Sequence, residues 1–171
     1  MTPTPTGRVI RTSKGRDLVL TRTFRAPIDD VWASVTESER TARWFGPWQG
    51  EPGVGKKIRY SMAFEQQPDE GPVWSEMTIE ACDAPRRLEL SSIDDYGSWY
   101  LILELSEAKG VTELRFTQRL EETTDASAVG PGWEYYLDNL VASRDGTKRP
   151  DFNDYYPSMK DYYAAAADGA R

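Results

Sequence analysis

Alternation of apolar and polar residues dominates the middle of the chain. Ile58, Tyr60, Met62 and Phe64 alternate with Arg59, Ser61 and Ala63, which predicts a half-buried strand. Val73 to Cys82 repeats the pattern, with Val73, Ser75, Met77, Ile79 and Ala81 on one face and Trp74, Glu76, Thr78 and Glu80 on the other. Arg87 to Ser92 turns Leu88 and Leu90 inward. Ser98 to Ser106 gathers Trp99, Leu101, Leu103 and Leu105, and Val111 to Leu120 gathers Leu114, Phe116 and Leu120. Turn-forming residues separate these runs at Asp83-Ala84-Pro85, Asp94-Asp95-Tyr96-Gly97 and Lys109-Gly110. Consecutive strands on short turns make an antiparallel meander. One apolar face per strand gives a sheet with one wet side and one covered side.

Outside the meander the period changes. Met1 to Gly7 is Thr/Pro-rich and predicts a flexible arm. Arg8 to Thr12 reads as a short strand and Asp17 to Phe24 as a longer one, with Arg22 on the same face as Leu18, Leu20 and Phe24. Pro27 and Asp29-Asp30 suit the first turn of a helix, along which Ile28, Val31, Trp32 and Val35 recur at helical spacing. Ser38-Glu39 opens a second short helix through Trp44. Gly46-Pro47 ends it, and Trp44, Phe45 and Trp48 cluster around that break. Beyond the meander, Glu121 to Val129 reads as a polar connection and Gly130-Pro131-Gly132 as a break. Trp133 to Ser143 is then a helix with Trp133, Tyr136, Leu137, Leu140 and Val141 on one stripe. A short final helix is expected from Pro157.

These elements predict an α+β protein. An antiparallel sheet of six to seven strands wraps around a long C-terminal helix, and two short helices precede the meander. The expected organisation is an arm over residues 1–7, a domain over 8–143, and a C-terminal extension over 144–171 packed on or near that domain.

The formal net charge of −7 removes several partner classes. Nucleic acid needs clustered Lys and Arg, and Lys56-Lys57 and Lys148-Arg149 are too short to supply them. Anionic membrane surfaces are disfavoured for the same reason. No run approaches a transmembrane length and no secretory core is evident, so a cytoplasmic protein is expected. Cys82 is the single cysteine and histidine is absent. Ser-His and Cys-His nucleophiles are thereby excluded, a structural zinc site is not expected, and neither a metal nor a cofactor is assigned.

Several short motifs carry a resemblance. They are Arg22-Thr23-Phe24-Arg25-Ala26-Pro27 with Val31-Trp32, Thr36-Glu37-Ser38-Glu39-Arg40 with Trp44-Phe45-Gly46-Pro47, Ala84-Pro85-Arg86-Arg87-Leu88, and Gly132-Trp133 with Leu137 and Leu140. Over Gly7 to Ser143 the chain resembles the helix-grip fold of the START/SRPBCC superfamily, which includes the birch pollen allergen. More narrowly it is similar to the branch named after the C-terminal domain of the heat-shock chaperone ATPase activator. The resemblance implies a container. Members bind lipids, sterols, polyketides or plant hormones, and a minority catalyse cyclisation or dehydration.

The candidate cavity lining follows from the inward face. It comprises Tyr60, Met62, Met77, Ile79, Leu90, Trp99, Leu101 and Phe116 of the strands, with Trp133, Tyr136 and Leu140 of the helix. The same residues would serve equally to fill a core. Trp44 and Trp48 are candidates for an aromatic wall, with Trp48 as a gate beyond the Gly-Pro break. Arg22 on an apolar face suits a ligand carboxylate, an internal Glu, or a strand end reaching water. Ser75 and Gln118 fall on inward parity as neutral polar groups.

No spaced pair of acids and bases stands out, so no catalytic residue is assigned. The expected function is binding of a small hydrophobic or aromatic molecule, such as a lipid or polyketide, without chemistry. One alternative is a cyclase- or dehydratase-like enzyme using Arg22, Tyr60 and a carboxylate. Another is a co-chaperone-like module stimulating a chaperone ATPase, with a filled core and an outer apolar patch around Trp74. The tyrosines from Tyr155 to Tyr163 either cover the open end of the cavity or form a homodimer contact.

Overall fold

The computed structural model describes residues 2–65 and 69–171. Part of the polar loop expected over Glu65 to Pro72, residues 66–68, lies outside the described residues. Among those described, eight strands form one antiparallel sheet: β1 (Arg8–Thr12), β2 (Gly15–Phe24), β3 (Trp48–Gln49), β4 (Lys57–Tyr60), β5 (Ser75–Asp83), β6 (Arg87–Asp94), β7 (Gly97–Ala108) and β8 (Val111–Leu120). Their order across the sheet is β1-β2-β8-β7-β6-β5-β4-β3. The helices are α1 (Ile28–Thr36), α2 (Ser38–Thr41), α3 (Ala126–Asp145) and α4 (Lys160–Gly169), with a 3-10 turn at Phe152–Asp154. The strand count exceeds the expected six to seven partly because β3, two residues long, carries no readable alternation.

Three local departures from the expected pattern have physical causes. The strand expected through Phe64 stops at Tyr60, because the chain then follows the loop after α2. Ser61 N donates to Pro47 O at 3.1 Å and Ala63 N to Phe45 O at 3.1 Å. Gly46 permits that approach, since a Cβ there would lie 1.6 Å from Ser61 O. In β5 the register against β6 shifts between Ile79 and Ala81, so that Cys82 pairs with Leu88. This bulge gives the inward position to Cys82 in place of Ala81.

The third departure is in α3. Gly130-Pro131-Gly132 does not break the chain but lies inside the helix, which starts at an Asp125 cap accepting from Ser127 N at 3.0 Å. Gly130 is there for packing. A Cβ would meet Tyr163 Cγ of α4 at 2.3 Å, and Tyr163 is fully buried.

Two polar knots anchor α3. Midway along the helix Glu134, 1% exposed, accepts from Thr6 N, Thr6 Oγ1, Gly7 N and the Tyr163 hydroxyl. Arg22 of β2 reaches Glu134 at 2.8 Å and Asp138 at 3.0 Å, and Tyr155 donates to the other Asp138 oxygen at 2.7 Å. Of the uses open to Arg22, the internal Glu is the one the fold adopts. The end of the N-terminal arm is correspondingly held at Thr6 and Gly7 rather than loose. Burial alone would raise the Glu134 carboxyl, but the Tyr163 hydroxyl, the Thr6 amide and Arg22 hold it below the ordinary carboxylate range. In the last turn, Arg144 donates to Asp30 Oδ2 at 2.6 Å and Ser34 Oγ at 2.7 Å, tying α3 to α1. Arg144 and Arg40 together depress the Asp30 carboxyl.

Two predictions test this anchoring. Inside a helix, Gly→Ala normally stabilises by about 0.5–1 kcal/mol. Gly132→Ala, with nothing within 4 Å of its Cβ, should show that gain. Gly130→Ala should instead lower the melting temperature, because its methyl collides with an immobile ring. Separately, Glu134→Gln should destabilise by about 2 kcal/mol at neutral pH, since it removes one of the two carboxylates paired with Arg22 and leaves Asp138 alone to hold it. The Glu134 carboxyl titrates below its unfolded value near 4.5, so its contribution is complete above that pH and is lost as pH falls through the folded pKa. Denaturant titrations at pH 7 and pH 4 should therefore show the gap between wild type and Glu134→Gln narrowing on acidification.

Candidate functional site

An apolar chamber of about 340 Å³ lies between the inward face of β4 to β8 and the segment from α1 to β4. Trp32, Val35 and Thr36 of α1 line it, with Thr41 of α2 and Trp44, Phe45, Gly46, Trp48, Pro52 and Gly53 of the chain that follows. The sheet contributes Ile58, Tyr60, Met77, Ile79, Cys82, Leu88, Leu90, Leu101, Leu103 and Phe116, and α3 contributes Trp133. Pro52 and Cys82 are exposed, which places a mouth between that loop and the end of β5. An annex of about 80 Å³ shares Phe45, Tyr60, Met77, Leu90, Leu101 and Trp133 with the chamber and adds Met62, Ser91, Ser92, Asp94 and Trp99.

Of the candidate lining residues, Trp44, Trp48, Tyr60, Met77, Ile79, Leu90, Leu101, Phe116 and Trp133 surround the chamber, and Met62 and Trp99 the annex. Arg22, Tyr136 and Leu140 line neither. Arg22 is consumed by Glu134 and Asp138 on the far side of α3. Leu140 is fully buried in the core, and Tyr136 sits behind the wall, its ring edge-on to Phe45 at 5.5 Å. Burial, with the Glu65 carboxylate second, pushes the pKa of the Tyr136 hydroxyl up. Ser75 lines neither space. Trp32 and Val35 were legible only as the apolar stripe of a helix, and Cys82 was hidden by the bulge.

The chamber walls are held by their polar edges. Trp44 Nε1 donates to Ser34 O at 2.8 Å, Trp48 Nε1 to Thr36 O at 2.8 Å, and Trp133 Nε1 to Gln118 Oε1 at 2.7 Å. With each N–H engaged by the protein, an indole can offer only ring surface to an occupant. Phe45 lies nearly parallel to Trp133, with centroids 6.3 Å apart, and Phe116 packs on the same indole at 4.3 Å. Gln118, expected inward as a ligand contact, is thus a strut for Trp133. The annex is more polar. Tyr60 OH lies 3.5 Å from Ser92 Oγ, and the buried Trp99 Nε1 has no partner among the described residues.

A sheet closed over a long C-terminal helix, with an apolar chamber beside that helix, defines the helix-grip class of ligand-binding folds. Within it, the chain belongs to the family described as Activator of Hsp90 ATPase homolog 1-like protein, whose model matches residues 25–143. Similar solved structures include CalU16 from Micromonospora echinospora, 24% identical over 98% of this chain and 99% of that one, with a TM-score of 0.73. A conserved protein of unknown function from Enterococcus faecalis is 20% identical over 96% of this chain and 92% of its own, with a TM-score of 0.74. DynU16, described as a putative protein in the dynemicin biosynthetic locus, is 17% identical, and the match covers 80% of this chain and 50% of that one with a TM-score of 0.64. At these identities the likeness is one of fold. No curated protein matches the chain. Among the described residues, no helix is long and apolar enough to cross a membrane.

Trp133 is both wall and core, at 8% exposed. Trp133→Ala should destabilise by about 3–5 kcal/mol, as large-to-small core changes do, and leave Gln118 without its donor. Denaturant unfolding measures the loss directly; a change under about 1 kcal/mol would remove Trp133 from the core.

Proposed function

We propose that the protein binds a small hydrophobic or aromatic molecule, such as a lipid or polyketide, in the chamber in the cytoplasm, without chemistry. The observation that carries this reading is the 340 Å³ apolar space with the indole N–H groups of Trp44, Trp48 and Trp133 turned into the walls. Its size falls in the range of about 300–1,000 Å³ usual for small-molecule sites. DynU16, the putative protein of a biosynthetic locus, has the same fold and is in keeping with a natural-product-sized occupant.

The two alternatives draw less support. A cyclase-like enzyme would place its perturbed acid and its Arg in the cavity, whereas Glu134 and Arg22 face each other outside the lining. A co-chaperone-like module would have a filled core, and its expected surface patch at Trp74 lies under the Arg59 guanidinium at 5.5 Å.

Native mass spectrometry of protein purified from its own cells, followed by organic extraction, tests the reading. A reproducible bound compound is expected. A clean apo mass, with no thermal shift across a panel of lipids and aromatic metabolites, would count against it. Five of the six tryptophans line the chamber or annex, so intrinsic fluorescence should be quenched on binding. Trp48→Ala should cost about 1 kcal/mol of stability, because the side chain is half-buried, while altering ligand uptake severalfold. Unfolding with uptake unchanged would make Trp48 a core residue and not a gate.

A further inference from the structure

The annex differs from the main chamber in charge as well as polarity. Its outer end forms where β6 turns into β7, and Asp94 stands there, exposed at the rim. Asp94 shares strand parity with Ser92 and Leu90, which also line the annex. One carboxylate oxygen accepts from Tyr96 N at 2.8 Å, and among the described residues no Lys or Arg pairs with it. Among the described residues, neither the chamber nor the annex has a Lys or Arg in its lining. Arg149, packed against the neighbouring loop, stacks on Phe64 at 4.2 Å, and neither residue lines the annex.

Behind the carboxylate stand the rings of Trp99, Tyr60, Phe45 and Trp133. Aromatic faces attract a cation through their quadrupoles, and an unpaired carboxylate beside them adds to that attraction. An anion would meet Asp94 with no counter-charge. The exposed rim also lets an ammonium group keep part of its hydration, so its entry does not require the full desolvation penalty of a buried charge. The chain's net charge of −7 favours approach of cations.

We infer that the annex is a subsite for a protonated amine at one end of an aromatic ligand whose apolar body occupies the main chamber. This rests on the ligand-binding reading above and narrows its ligand class. Carboxylate-ended ligands, fatty acids among them, are selected against, and the discrimination resides in Asp94.

Three probes of nearly equal size separate head charge from ring burial: 2-naphthylmethylamine, 2-naphthalenemethanol and 2-naphthoate. Calorimetric titration of the intact protein at pH 7 and low salt should rank them amine, alcohol, acid. The amine should bind roughly fivefold tighter than the alcohol, and the acid weakest. Asp94→Asn keeps an oxygen for the Tyr96 amide and sits at an exposed position, so the fold is retained. It should bring the amine to the affinity of the alcohol and leave the alcohol unchanged. High salt should shrink the amine preference in wild type. Equal affinities for the three probes, tightest binding by the acid, or an amine preference that survives Asp94→Asn would each overturn the amine subsite while leaving the chamber as a binding site. Failure of all three to bind would overturn the binding reading itself and the subsite with it.

Discussion

A carboxylate taken out of water must be surrounded by donors, and Glu134 meets that requirement by gathering three distant parts of the chain. The arm supplies the Thr6 and Gly7 amides, β2 supplies Arg22, and α4 supplies the Tyr163 hydroxyl. Removing a partner leaves the buried carboxylate with one donor fewer, which is why such clusters fix geometry more firmly than apolar contacts of similar area. With Arg144 holding α1 at the C-terminal end, α3 is tied at its middle and at that end. Glu134 and Trp133 are neighbours on this helix and point in different directions. The knot that docks α4 therefore also sets the rotation of α3 that turns Trp133 toward the chamber.

Keeping a chamber open among large apolar side chains is a problem in its own right, because interiors tend to close-pack. The protein solves it by fixing the edges of its rings. Trp44, Trp48 and Trp133 each give their N–H to a fixed acceptor, and Gly46 lets the backbone of residues 61–63 close against the loop that carries Phe45. A ring held at its edge cannot rotate into the space without breaking a hydrogen bond. The polar ends of aromatic side chains thus maintain an apolar site.

Much of this was legible in the sequence, because a sheet with one wet face writes its alternation plainly. β1 and β8 run over the expected residues, and most of the inward strand positions named as candidates do line the chamber or annex. What escaped depends on contacts far apart in sequence. Arg22 was placed on the inward face, but its partner Glu134 lies 112 residues away and shows no local signature. Gly130-Pro131-Gly132 has the composition of a break, and only the Tyr163 ring against Gly130 explains its place within a helix. The β5 bulge moves Cys82 to the inward side with no change in residue type to announce it. Trp32 and Val35 read as helix core, and a helix stripe looks the same whether it faces other side chains or a space.

The two halves of the sheet carry different burdens. On the side of β1, β2 and β8, strands of up to ten residues pair continuously, and α3, α4 and the Glu134 knot cover them. On the other side the sheet narrows to four residues in β4 and two in β3, with loops supplying much of the wall. Local opening is least costly where ladder bonds and buried contacts are fewest. That places the low-stability margin at the chamber mouth near Pro52 and Cys82, and the high-stability region behind Trp133. On the ligand-binding reading proposed above, the occupant enters by loosening the edge of the sheet while the helix that forms the back wall stays docked.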